Sequence, residues 1–276
     1  MVAGLDTRSM DAAPIYTRDN CRFSFPLQWG LTFFWHASQL QAHWLEQLAV
    51  ALEPDGIRIL SHRFFDSTTS QFAISTKPYV SPQTIVHRVK GRLQYIVREE
   101  QPKPFQRNFA LRSFGAEQRE KIEAYVAAQT DHHRYANPVF QAFLESIQIV
   151  DPTVDLSKNS RSSHGLYWYN LHVVLVNQER WQIGNEKMLL KIRDSIPRIA
   201  QKWNWRISRA GILPDHIHFA LGCNHEVAPD EVAFSFLNNL AYVNGMRPVF
   251  QFGAYIGIFG EYDQRIVHGT PARVSK

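Results

Sequence analysis

The chain repeats itself. Phe72-Ala73-Ile74 is matched 147 residues later by Phe219-Ala220-Leu221, Val80-Ser81-Pro82 by Val227-Ala228-Pro229, and Leu93 and Tyr95 by Leu240 and Tyr242. No gap is needed, and 6 of the 25 positions from Phe72 are identical. After a drift of two residues, Phe105-Gln106 and Phe114-Gly115 are matched by Phe250-Gln251 and Phe259-Gly260. Ungapped identity at equivalent points of a strand and helix rhythm points to a duplicated domain rather than two unrelated α+β units. Whatever backbone one copy builds, the other must build as well.

Each copy opens with an apolar strand, WGLTFFW from Trp29 and YNLHVVL from Tyr169, followed by a helical stretch, QAHWLEQLAVAL from Gln41 and EKMLLKIRDSIPRIAQKW from Glu186. Two strands, a helix and a last strand follow. Strand, helix, strand, strand, helix, strand is the split βαβ order, so the expected fold is α+β: two tandem ferredoxin-like domains, each an antiparallel sheet with helices on one face. Residues 1–22 read as a flexible polar tail. Residues 23–150 form the first unit, with an additional helix at its end. The polar stretch DPTVDLSKNSRSSH within 151–165 reads as a linker, and 166–276 as the second unit.

Composition excludes several classes. Two cysteines, Cys21 and Cys223, make neither a disulfide framework nor a zinc knuckle. They fit a reducing cytoplasm, the expected location. Apolar runs are too short to span a bilayer, and no membrane partner is expected. The net charge of +5 sits in the second half: 16 Lys and Arg against 16 Asp and Glu through Asp155, then 14 against 9. A modest basic surplus suits phosphate contacts without requiring them.

The sharpest local motif is Pro214-Asp215-His216-Ile217-His218-Phe219. Residues i and i+2 of a strand share a face, so His216 and His218 present two imidazoles side by side while Ile217 and Phe219 point to the core. Such a pair is how a strand offers two ligands to one metal ion, and Asp215 is placed to orient one ring. Two solvated surface histidines are the plain alternative. In the first copy the triplet is Thr69-Ser70-Gln71, a poor metal site. The opposite asymmetry follows the Phe-Gly pair. In the first copy the sequence AEQREKIEAYVAAQTDHH predicts a helix with Ile122, Tyr125, Val126 and Gln129 on one face. In the second copy the matching position is Thr270, in a short stretch containing Gly and Pro. One copy has the tyrosine and no histidine pair; the other has the pair and no matching tyrosine.

With these motifs in this order, the chain resembles the HUH single-tyrosine transposases of small insertion sequences, the IS200-like and REP-associated tyrosine transposase group, over about 23–133 and 166–268. The resemblance rests on Asp215-His216-Ile217-His218, the following VAPDEVAFSFLNNLAY helix, and Tyr125-Val126-Ala127-Ala128-Gln129. It implies an enzyme that nicks and rejoins single-stranded DNA bearing hairpins through a 5′-phosphotyrosine on Tyr125. It also implies a divalent metal, Mg²⁺ or Mn²⁺, held by His216, His218 and Gln129, with Asp215 behind them. Zinc is admissible on ligand softness alone. Family members are dimers whose histidine pair meets the tyrosine of the other subunit. Here the two subunits look fused, which implies a monomeric pseudo-dimer with one complete site, further self-association being left open. The second site would pair Thr69 and Gln71 with Thr270.

One helix of the first copy carries Arg88, Lys90 and Arg92 where the second has Ser235, Leu237 and Asn239. It reads either as a phosphate-gripping DNA-binding helix or as a solvated basic face. Trp168, Trp181, Trp203 and Trp205 could stack on bases, most of them being more simply core. Asp131-His132-His133 reads as a solvated helix end. Two rival functions stand beside the enzyme: a catalytically retired DNA-hairpin-binding protein, and a structural zinc protein unrelated to DNA.

Overall fold

In Gln28–Trp35 every second residue (Trp29, Leu31, Phe33 and Trp35) is buried, so the strand has one core face and one outer face. The same alternation in the second repeat buries Leu171, Val173 and Leu175, beside Ile217, Phe219 and Leu221 of its neighbour. A computed structural model of the chain describes residues 13–261 apart from positions 40, 134 and 246. The first repeat runs β1 (Arg22–Ser24), β2 (Gln28–Trp35), α1 (Leu45–Leu52), β3 (Ile57–Asp66), β4 (Thr69–Thr76), α2 (Pro82–Val97) and β5 (Phe105–Phe114). It continues through α3 (Arg119–Ala127), α4 (Gln129–His132), α5 (Pro138–Ser146) and β6 (Ile149–Val150). Then come β7 (Ser160–Arg161), β8 (Gly165–Trp168), β9 (Asn170–Val176), α6 (Glu186–Lys202), β10 (Arg206–Ile212), β11 (His216–Gly222), α7 (Pro229–Val243) and β12 (Gly253–Phe259).

The architecture is α+β, with two six-stranded sheets ordered β3-β4-β2-β5-β8-β7 and β10-β11-β9-β12-β1, β6 lying outside β10 in the second. Five strands keep the same order in both, as the repeat requires; β7 and β6 are additions at opposite edges. Helices cover the apolar face of each: Leu48, Leu52, Val89 and Leu93 over the first sheet, Leu189, Ile192, Phe236 and Leu240 over the second. Phe219 and Phe236 stack at 4.4 Å across that second layer.

The two units exchange strands. β8 begins the second repeat yet pairs in parallel with β5 of the first; β1 begins the first yet pairs in parallel with β12 of the second. Equivalent positions also bond reciprocally. The amide of Gln83 donates to the carbonyl of His225 (2.9 Å), and that of Asp230 to the carbonyl of Pro78 (3.0 Å), each pair being the other shifted by the repeat. The repeated Phe-Gly pairs meet where the sheets cross. A Cβ on Gly115 would lie 1.9 Å from the Ile258 carbonyl oxygen, and one on Gly260 would lie 2.3 Å from that of Ser113. Both positions need glycine because backbone packs on backbone there.

Two sequence expectations change. The described part of the tail is ordered: Tyr16 is 1% exposed, its hydroxyl donates to the Phe250 carbonyl (2.9 Å), and Arg18 grips Asp230 (2.7 and 3.0 Å). The expected linker is also folded. Leu156 is buried with Val126, Ala220 and Phe259, and β7 joins the first sheet. Its polar residues make turns rather than slack chain: Asp151 accepts from Thr153, and Asp155 from Ser157. Among the described residues no helix is long and apolar enough to cross a membrane.

Gly115→Ala is expected to destabilise the chain by about 3 kcal/mol, since backbone must move to admit the methyl group. Gly91→Ala, in an open helical position with nothing within 4 Å, is expected to stabilise it by about 0.5–1 kcal/mol. Denaturant melts of the two variants check the contrast; equal effects would refute the crossing contact.

Candidate active site

β11 hydrogen-bonds β10 on one side and β9 on the other. Its alternation sends Ile217 and Phe219 into the core and leaves His216 and His218 on the opposite face. Both histidines are nevertheless buried, at 4% and 5% exposed. What covers them is α3 of the first repeat. Beyond the Phe-Gly crossing, Gln118 bridges Gly260, and the Arg119 amide donates to the Gly260 carbonyl (2.9 Å). The Arg119 guanidinium holds Glu261 (2.6 Å) and Glu123 (3.0 Å), fixing the helix start to the end of the second repeat. Val126 is fully buried, contributing about 1.5–2 kcal/mol to docking.

Gly211 makes this landing fit. It is the cross-strand partner of His218, and a Cβ there would sit 2.9 Å from both the Val126 carbonyl oxygen and Gln129 Cγ. Tyr125 reaches the histidines from this helix. Its ring centroid lies 5.5 Å from that of His218 and 6.0 Å from that of His172. The helix expected to run unbroken through Gln129 stops at Ala128 and restarts as α4. Gln129 still lies one turn beyond Tyr125, buried, with Nε2 donating to the Tyr125 carbonyl (2.9 Å). Thus His216, His218, Tyr125 and Gln129 are brought to one place. Thr270 lies outside the described residues; Thr69 and Gln71 lie on the first sheet, away from the histidines.

Each imidazole has one nitrogen occupied. Asp215 Oδ1 lies 2.6 Å from His216 Nδ1, and His172 Nε2 lies 3.0 Å from His218 Nδ1. Burial, strengthened by the neighbouring imidazoles, pushes His218 down to about 2, and burial alone brings His172 to about 4. Burial also lowers His216, outweighing the pull of Asp215. Burial opposes ionisation of Asp215, but His216 and Arg180 (3.1 Å) outweigh it and hold the carboxyl below its usual range. The resulting state is an ionised Asp215 and neutral rings.

Sequence reading missed His172. It is the polar residue in the apolar run of β9, on the face shared with His218, and that position was the available signal. It also passed over His133. Though exposed, as expected of a helix end, its ring lies 5.2 Å from that of His216. The basic helix is not a single array. Arg88 and Arg92 both turn to Asp55 (3.6 and 2.6 Å), while Lys90 lies about 200° around the helix from Arg88 and caps the carbonyls of Gln106 and Arg107.

The donor chemistry fits a divalent cation. With Nδ1 of both histidines engaged, the Nε2 atoms and Gln129 Oε1 have no protein hydrogen-bond partner among the described residues. A neutral imidazole backed by a carboxylate, as His216 is by Asp215, is a usual arrangement of a metal-binding histidine. No group of three or more His, Cys, Asp and Glu side chains among the described residues is arranged to hold a metal; beside the histidine pair the nearby amide of Gln129 is the candidate further donor.

Residues 166–241 match the family model described as Transposase IS200 like, a segment spanning β9 to α7 with the histidine pair. No curated protein matches the chain. Among solved structures, a protein provisionally assigned as a glycine cleavage system transcriptional repressor aligns at 9% identity and TM-score 0.23, covering 85% of this chain and 98% of that one. An unknown protein from Galdieria sulphuraria aligns at 9% identity and TM-score 0.21, covering 84% and 97%. At such scores neither bears on fold or function.

Gly211→Ala is expected to lift the tyrosine segment from β10, costing about 1–2 kcal/mol and opening the chain near Ala128 to protease. Limited proteolysis with mass spectrometry reads this directly. An unchanged cleavage pattern at unchanged stability would show that the docking does not depend on this glycine.

Proposed function

We propose that the chain nicks and rejoins single-stranded DNA at one composite active site, acting as a monomeric pseudo-dimer of the units 23–150 and 166–276. The observation that carries this reading is the meeting of Tyr125, from the first repeat, with His216 and His218, from the second. The IS200-like match, which supports a DNA-directed transposase-type activity, covers the half that holds the histidines. The substrate class is a single strand presented by DNA hairpins.

Tyr125 is the nucleophile. Its ring is 45% exposed, and its hydroxyl has no hydrogen-bond partner among the described residues, which suits a group that must meet a phosphate. The phenol oxygen forms a bond to phosphorus and the bond from phosphorus to the 3′-oxygen breaks. The phenol proton is released and the departing 3′-oxygen is protonated, leaving a 5′-phosphotyrosine. Attack by the 3′-hydroxyl of another strand reverses the step, so joining needs no ATP. A phenol is a weak nucleophile until activated. His216, His218 and Gln129 would hold Mg²⁺ or Mn²⁺, which when bound supplies Lewis-acid polarisation of a non-bridging phosphate oxygen. The ionised Asp215 keeps the His216 proton on Nδ1, and His172 does the same for His218 in the tautomer in which its Nε2 accepts, which leaves both Nε2 lone pairs free for a metal. Asp215 and His172 are positioning residues.

Tyr125→Phe is expected to abolish the covalent protein–DNA adduct seen on a denaturing gel with hairpin-bearing single strands, while DNA binding persists. An adduct formed by that variant would refute the assignment; binding without any adduct from the native chain would favour a retired hairpin-binding protein. His172→Phe is expected to weaken Mn²⁺ affinity about tenfold by calorimetry. His172→Gln, whose amide oxygen can accept the same hydrogen bond, should recover part of the loss.

A further inference from the structure

The repeat builds one groove twice, between α2 and β5 in the first unit and between α7 and β12 in the second. In the second unit the groove is filled by the segment that leads into β1. The Tyr16 amide donates to Asn238 Oδ1 (3.0 Å), and Asn238 Nδ2 donates to the Tyr16 carbonyl (2.8 Å). The Tyr16 ring packs 5.2 Å from that of Phe252, and the Phe23 ring 5.1 Å from that of Phe234.

In the first unit the same positions change character. At the offset of 147, Phe234, Leu237 and Asn238 correspond to His87, Lys90 and Gly91; at the offset of 145, Phe252 corresponds to Arg107. Strand pairing fixes the remaining wall. Gly165 pairs with Phe109 as Phe23 pairs with Ala254, so His164 stands where Arg22 does, and Gly165 has no ring to place in the groove. A Cβ on Gly91, the counterpart of the asparagine that clasps Tyr16, would have nothing within 4 Å. The result is an open cleft of about 420 Å³ lined by Val86, His87, Lys90, Arg107, Phe109 and His164.

No acidic side chain lines this cleft among the described residues. Lys90 is half-buried, its ammonium donating to the carbonyls of Gln106 (2.8 Å) and Arg107 (3.4 Å) and lying 5.7 and 5.9 Å from the Phe105 and Phe109 ring centroids. Carbonyls and ring faces orient an ammonium without cancelling its charge. Burial lowers its pKa, as it does for a cation that lacks a carboxylate partner. Arg107, His87 and His164 are exposed. Arg107 lies where β5 slips register against β2, between the pairs Phe33 with Phe109 and Trp35 with Phe105, an irregularity of the kind that re-aims a side chain. Of the three basic residues of α2, only Lys90 reaches this cleft; Arg88 and Arg92 face Asp55.

We propose that the cleft between α2 and β5 grips the DNA backbone at a place apart from the tyrosine and histidine site: Lys90 and Arg107 hold phosphodiester oxygens, and ring N–H groups of His87 and His164 donate from the two walls. The ligand chemistry is the phosphodiester, which a guanidinium fork and an ammonium point charge both recognise. Only the first unit has this grip, because Tyr16, Phe23 and Phe234 occupy the equivalent groove of the second. The proposal rests on the preceding section only for the identity of the polyanion as single-stranded DNA.

The test is anisotropy of a fluorescent oligothymidylate of about 20 nucleotides, titrated with the full chain in EDTA across a salt series. Arg107→Gln, at an exposed position, is expected to bind about threefold more weakly at low salt, with the log–log salt slope flattened by about 0.7, one phosphate contact on a single strand. Lys90→Gln/Arg107→Gln, checked for native melting, should double the change in slope, and Arg107→Lys should restore the native slope. Lys191→Gln/Arg198→Gln removes two exposed cations of α6 and should leave the slope near that of the native chain. An unchanged slope in both cleft variants overturns the proposal, and so does an equal flattening in the α6 variant, which would mean diffuse charge. Stabilisation of the native chain by inorganic phosphate that is lost in Arg107→Gln, with oligonucleotide binding unaffected, also overturns it and makes the cleft a free-phosphate site. A native chain that forms no tyrosine adduct, while the cleft variants still lose binding, would sink the catalytic reading and leave this one standing.

Discussion

The structure depends on a backbone crossing. Gly115 and Gly260 each press against a carbonyl of the other repeat, and Ser113 ties the crossing by donating its hydroxyl to the Phe259 carbonyl at 2.7 Å. Carbonyl and Cα approach too closely there for any side chain. The consequence is directional. A chain leaving β5 through this corner cannot return over its own sheet; it emerges on the outer face of the other. Tyr125 therefore reaches the histidines of the second repeat, and the strand exchange of β1 and β8 follows the same geometry.

Burial then does chemical work. A pair of imidazoles on an open strand would be ordinary titrating histidines. Under α3 and α4 they lose solvent, and the charged form is disfavoured in all three buried rings. Asp215 and His172 occupy the Nδ1 atoms, and both Nε2 atoms are left without a protein hydrogen-bond partner among the described residues. The same helix that brings the phenol also buries the imidazoles, which couples the two halves of the site through packing.

Duplication leaves two equivalent outer faces, and the chain uses them differently. Small residues on one let a helix lie close, where the other carries Arg63 and Arg112 at the equivalent ladder positions. In the basic helix that drew attention in the sequence, Asp55 clasps Arg88 and Arg92.

Sequence alone determined the repeat, the α+β class, the side-by-side placement of His216 and His218, and the glycine corners that the repeat marks. These rest on local rules: strand alternation, helix periodicity and identity at a fixed offset. Those rules also misled where composition stood in for contact. Polar residues at 151–165 were read as slack although Asp151 and Asp155 fold it into turns, and the tail was read as loose although Tyr16 is locked onto Phe250. Only the tertiary structure decided which sheet the tyrosine helix covers, that His172 stands behind His218, and that Asp55 holds Arg88 and Arg92. Each of these depends on residues far apart in the chain meeting across an interface, where close packing and lost solvent set the outcome and no local pattern records it.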